Sequence, residues 1–120
     1  MTVQFDPKPA KPITIMLPTR ARPSIAMDSL ESLVENADNI NNVEFLLAVD
    51  DDDQETIDFV NDFMLSWFKD RDIDLTVFSM PRLGYGRLNE YVNFLSINSK
   101  GAWLVFWNDD ARMLSKGWDS

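Results

Sequence analysis

The chain has 120 residues with no cysteine and no histidine, which excludes disulfides, thiolate or imidazole metal sites and histidine acid–base catalysis. Any metal must therefore sit on oxygen ligands, the donor set that suits Mg²⁺, Mn²⁺ or Ca²⁺. With 20 acidic against 11 basic residues and a net charge of −9, the chain lacks the basic face that a nucleic-acid backbone requires, although a few arginines and one metal ion suffice for a small phosphorylated ligand.

Residues 1–12, with two lysines and three prolines, read as an extended tail, and residues 13–120 as a single α/β domain. The run 13–17 (ITIML) is a short apolar strand that stops at Pro18. Pro23 suits the first turn of a helix, which Met27, Leu30, Val34 and Ala37 continue at helical spacing. Residues 36–42 form a loop by composition. Residues 43–49 (VEFLLAV) form the second strand, which runs into four aspartates at 50–53. An amphipathic helix over 55–69 carries Ile57, Val60, Met64 and Trp67 or Phe68 on one face. Residues 73–80 are a third strand, 81–86 a loop with Gly84 and Gly86, and a helix follows through Leu88, Tyr91, Val92 and Leu95. The fourth strand is 102–107 (AWLVFW). No apolar run approaches the ~20 residues of a membrane span, and the amino terminus carries no signal-peptide pattern, so a cytoplasmic protein is the default expectation.

The β-α-β-α-β-α-β alternation predicts a parallel sheet covered by helices on both faces, and the near-continuous apolar strands agree. The aromatics Trp67, Phe68, Trp103, Phe106 and Trp107 are assigned to the core, and Trp118 reads as a docking residue for a further segment. Ligands of such folds bind beyond the carboxyl ends of the strands. Those ends read Pro-Thr-Arg-Ala-Arg-Pro, a run of aspartates, Pro-Arg-Leu-Gly-Tyr-Gly-Arg, and Asn-Asp-Asp-Ala-Arg. Polar residues end strands anyway, because loops are solvated, but arginines and clustered acids at four ends together suit a metal and a phosphorylated ligand. Asp52 and Asp53 also read as caps of the following helix. A helix-loop-helix calcium site is excluded, since Glu55 and Asn61 occupy the positions that need glycine and glutamate. Residues 84–89 (GYGRLN) carry half of a dinucleotide fingerprint, on the wrong strand and with Asn89 at the third site.

The segments 13–23 (ITIMLPTRARP), 43–53 (VEFLLAVDDDD) and 84–113 together resemble the nucleotide-binding half of GT-A glycosyltransferases of the family 2 type. The resemblance implies a three-layer Rossmann-like fold with sheet order 3-2-1-4, a UDP- or GDP-sugar donor, and a divalent Mn or Mg ion. It implies that Pro18, Thr19 and Arg20 lie at the base end of the nucleotide and that Asp50 contacts base or ribose. Gly86 and Arg87 fall where the family's loop passes the donor, Arg87 meeting the diphosphate, and Asn93 matches a helix asparagine. Asn108, Asp109 and Asp110 match the Asp-x-Asp turn, with Asp110 as principal metal ligand and Asn108 as a neutral second. Members of the family continue well beyond the position of Ser120 to supply an acceptor site and catalytic base, so the acceptor half is expected to be absent here. Two other readings stand beside this one: a degenerate domain that binds a nucleotide or partner without turnover, and a Mg²⁺-dependent phosphotransfer domain. The latter would place its nucleophilic aspartate at the end of the first strand, which here reads Pro-Thr-Arg. An exposed sheet edge or apolar face would favour a homodimer.

Overall fold

The computed structural model describes residues 12–82 and 87–119. The chain runs β1 (Ile13–Thr19), α1 (Pro23–Asn36), a 3₁₀ turn (Ile40–Asn42), β2 (Val43–Asp50), α2 (Gln54–Phe59), a π-helical turn (Val60–Met64), α3 (Leu65–Asp70), β3 (Asp74–Met80), α4 (Leu88–Ile97) and β4 (Trp103–Phe106). All strand pairs are parallel and the sheet order is β3-β2-β1-β4. The order expected from the resemblance is the order found.

Alternation along β1 and β2 builds two cores. Ile15, Leu17, Phe45 and Leu47 face α1 and the α2–α3 helix, meeting Met27, Leu30, Leu33, Val60, Met64 and Phe68. Met16, Leu46 and Ala48 point the other way, against Tyr91 and Leu95 of α4. Every residue of β2 is buried, as a central parallel strand requires. The long helix expected over 55–69 forms, but its middle is π-helical. That wider turn keeps Val60, Met64 and Phe68 in the core, at 4%, 0% and 1% exposure.

The strands depart from expectation in two places. β1 does not stop at Pro18 but continues through Thr19, with Pro18 opposite Ala48. Met16 turns its carbonyl toward the β4 side, accepting from the Trp107 amide at 2.9 Å. Pro18, two residues on, turns its missing N–H the same way, and the β1–β4 register has already ended at Met16–Phe106, so no ladder bond is lost. The fourth strand, read as buried, is an exposed edge: Trp103 is 73% exposed, with Leu104 and Phe106 also open. An apolar run reports affinity for burial but not how many neighbours a strand has, and among the described residues β4 pairs with β1 alone.

Trp118 packs against the core instead of standing free, its indole Nε1 donating to the Leu33 carbonyl at 2.7 Å. The segment after β4 runs back along α1. The Met113 amide donates to Ser32 Oγ, Asn36 Nδ2 donates to the Met113 carbonyl, and the Asp119 carboxylate accepts from the Asp38 and Asn39 amides. No helix among the described residues is long and apolar enough to cross a membrane.

Candidate functional site

Strand order reverses between β1 and β4, and a cleft of about 320 Å³ opens there at the carboxyl ends of the strands. β1 and its turn supply Pro18, Thr19, Arg20 and Arg22. β2 supplies Asp50, and Arg82 comes from just past β3. α4 contributes Leu88 and Tyr91, and the end of β4 brings Phe106, Asn108, Asp109 and Asp110. The cleft is thus apolar along Pro18, Leu88, Tyr91 and Phe106, and polar or charged across the rest.

Its charges are cross-wired between strands. Arg20 Nη1 donates to Asp50 Oδ2 at 2.9 Å and to Asp52 Oδ1 at 2.6 Å. These carboxylates hold the guanidinium of Arg20 above its ordinary value, Asp52 more than Asp50, and Arg20 in turn holds Asp52 below the usual carboxylate range. The other oxygen of Asp50 accepts from the Tyr91 hydroxyl at 2.5 Å, so α4 is tied to the end of β2. Arg22 Nη2 donates to Asp109 Oδ1 at 2.5 Å, and the Thr19 hydroxyl donates to Asp109 Oδ2 at 2.8 Å. Asp109 is 5% exposed, so a buried acid is matched by one cation and one hydroxyl.

The backbone splits the two arginines. Ala21, between them, has φ of 56°, a left-handed conformation that costs a residue with a Cβ about 1 kcal/mol. Its amide donates to Asp53 Oδ2 at 2.6 Å, which pins the turn to the start of α2. Asp53 caps that helix as the sequence predicts, accepting from the Thr56 amide; Asp52 is committed to Arg20 instead. Burial pushes the Asp53 carboxyl up, but the Thr56 side chain, the amides of Ala21 and Thr56 and the charge of Arg20 together outweigh it and hold it below its ordinary value. On the β4 side, the Trp107 indole donates to Ser29 Oγ at 2.7 Å, and Ser29 Oγ lies 3.4 Å from the Asn108 carbonyl, anchoring the acidic turn on α1.

Seven sequence-predicted residues therefore converge on the cleft: Pro18, Thr19, Arg20, Asp50, Asn108, Asp109 and Asp110. Arg87 and Asn93 do not line it. Arg87 pairs with Glu90 at the start of α4, and Asn93 is exposed on that helix. Gly86 lies outside the described residues. Sequence reasoning missed Arg22, Arg82, Leu88, Tyr91 and Phe106. Arg22 carried a signal, since it follows Arg20 by two positions in the same strand-end turn. Tyr91 did not, because its helical spacing reads as core and only the fold aims its hydroxyl at Asp50.

Among the described residues no group of three or more acidic side chains is placed to hold a metal ion. Both oxygens of Asp109 are taken, which leaves the Asp110 carboxylate, 61% exposed, as the open acid of this turn. One carboxylate and the Asn108 amide oxygen fit Mg²⁺ or Mn²⁺ when substrate phosphates and water complete the shell, which is how these ions commonly bind.

No protein-family model and no curated protein matches the sequence. In fold the chain is similar to the mannosyltransferase PcManGT from Pyrobaculum calidifontis, solved in complex with GDP-Man and Mn²⁺, with a TM-score of 0.68 and 17% identity. The match covers 88% of this chain and 32% of that one, so this chain spans about a third of its length. At this identity the likeness establishes a glycosyltransferase-like fold and no more.

Proposed function

We propose that the cleft binds a nucleoside-diphospho-sugar and that the chain forms the donor-binding part of a glycosyl-transfer site. The observation that carries this reading is the convergence of three arginines and the Asn108–Asp109–Asp110 turn on one cleft at the reversal of a 3-2-1-4 sheet. The fold likeness to a protein holding GDP-Man and Mn²⁺ supports it.

The residues divide the work by chemistry. Pro18, Leu88, Tyr91 and Phe106 offer the apolar surface that a nucleobase or sugar ring needs. Arg20, locked by two acids, is a rigid donor at the β1 end. Arg82, 3.9 Å from Asp52 and 58% exposed, is a looser cation at the β3 side. Asp110, with the Asn108 amide beside it, would hold a divalent Mn or Mg ion, whose chemistry when bound is to neutralise charge on a departing diphosphate. Asp109 keeps Thr19 and Arg22 in place and is the strut of the site.

Calorimetric titration with GDP-mannose and with UDP-sugars, each with Mn²⁺ and with Mg²⁺, tests this reading. Saturable binding of at least one donor is expected, weakened when Asp110 is changed to Ala. A folded protein that takes up neither nucleotide class at millimolar concentration would sink it.

A further inference from the structure

Arg22 stands apart from the other cations of the cleft. Its Nη2 is fixed on Asp109, and that acid is buried and saturated, its second oxygen held by Thr19. The guanidinium therefore has a built seat and little freedom to turn. Its other nitrogen, Nη1, faces Asp110 with 3.9 Å to Oδ2, close enough for strong attraction but too long for a hydrogen bond. Asp110 is also the open acid of the turn and too sparse a donor set to hold an ion alone.

From this juxtaposition we infer that Arg22 couples the donor's diphosphate to the metal. In the empty site it serves as the counter-ion of Asp110 and opposes entry of a second cation. With donor present, Nη1 donates to a phosphoryl oxygen, and the added anionic oxygens let guanidinium and metal sit side by side. This rests on the nucleotide-sugar reading of the cleft and adds the role of a residue that the resemblance left unassigned.

The consequence is a substitution with effects of opposite sign. Removing the guanidinium charge in Arg22→Gln should tighten uptake of Mn²⁺ alone by roughly thirtyfold, the factor for a unit charge and a divalent ion near 4 Å in water. It should weaken GDP or UDP, titrated in the presence of EDTA, by about tenfold to a hundredfold, the range for a hydrogen bond to a charged group. Mn²⁺ uptake is read from the electron paramagnetic resonance of the free ion, and diphosphate binding from calorimetry, so neither arm depends on catalysis. A variant that weakens both ligands, or changes neither, overturns the inference while wild-type nucleotide binding leaves the reading of the cleft intact. Wild-type protein that binds neither GDP nor UDP, even with Mn²⁺, overturns both. Circular dichroism melting checks folding. Should Arg22→Gln not fold, Arg22→Lys keeps the charge on Asp109 but loses the planar fork. Mn²⁺ uptake should then match wild type and diphosphate affinity should fall; unchanged diphosphate affinity overturns the inference.

Discussion

The two ends of the sheet solve the same problem differently. At the carboxyl end, Asp109 is buried and matched by a guanidinium and a hydroxyl, and Asp50 by Arg20 and Tyr91. At the amino end, Glu44 is 1% exposed and forms no ion pair among the described residues. Its Oε2 accepts from the Thr14 hydroxyl at 2.7 Å and the Lys100 amide at 2.5 Å, and its Oε1 has no partner among the described residues. The Gly101 amide then donates to Thr14 Oγ1 at 2.9 Å, which closes the α4–β4 connection onto β1. Arg20, Arg22 and Arg82 gather at the carboxyl rim. Carboxylates there are paired with arginines that line a cleft, whereas the acid at the other end holds backbone in register. Among the described residues, a cation beside a buried acid thus marks the cleft end of the sheet.

The largest expected effect tests the closed end. A Cβ on Gly101 would lie 2.4 Å from Thr14 Oγ1, 2.7 Å from the Thr14 nitrogen and 2.9 Å from the Ile13 carbonyl carbon, two of them backbone atoms that cannot step aside. Gly101→Ala should cost about 3 kcal/mol in urea unfolding, and a wild-type midpoint would show that this end is not closed as described. Next comes the direct contrast of the buried acids. Asp109→Asn leaves Arg22 without its partner and should cost roughly 2 kcal/mol, less than a fully buried pair because Arg22 is 40% exposed. Glu44→Gln removes a charge that no cation balances among the described residues and should stay within about 1 kcal/mol. Equal costs for the two substitutions would erase the distinction. The smallest effect is a pH dependence at the site end. Asp52 and Asp53 both titrate below their ordinary 3.8, so the stability they contribute is full above that value and lost as pH falls through the folded-state values. Melting temperature should therefore decline on acidification below about 3.8, with a shallower decline in Asp53→Asn; an unchanged slope would remove Asp53 from the account.

Much of this was legible in the sequence, and the gaps have physical causes. Apolar runs and helical spacing place every strand and helix, because burial on a sheet or helix face leaves a period that any solvent-averse residue obeys. The π turn at Val60–Met64 leaves no such trace, since an added residue in one turn preserves a four-residue core spacing. The site was readable where acids and arginines bunch at strand ends, as at Thr19–Arg20 and Asn108–Asp110. Pairing was not. That Asp109 turns inward and Asp110 outward depends on Thr19 at the end of β1 and Arg22 in the turn after it, a tertiary juxtaposition that composition does not carry.

The open edge of β4 has a colloidal consequence. Trp103, Leu104 and Phe106 are exposed beside a strand flank that no described strand covers, the arrangement by which sheets join edge to edge. Opposing that, the chain carries a net charge of −9, and copies repel at a range set by the surrounding ions. The screening length contracts from about 10 Å at 0.1 M salt to about 3 Å at 1 M. Salt is therefore the handle that governs whether this polypeptide, handled as these 120 residues, stays dispersed.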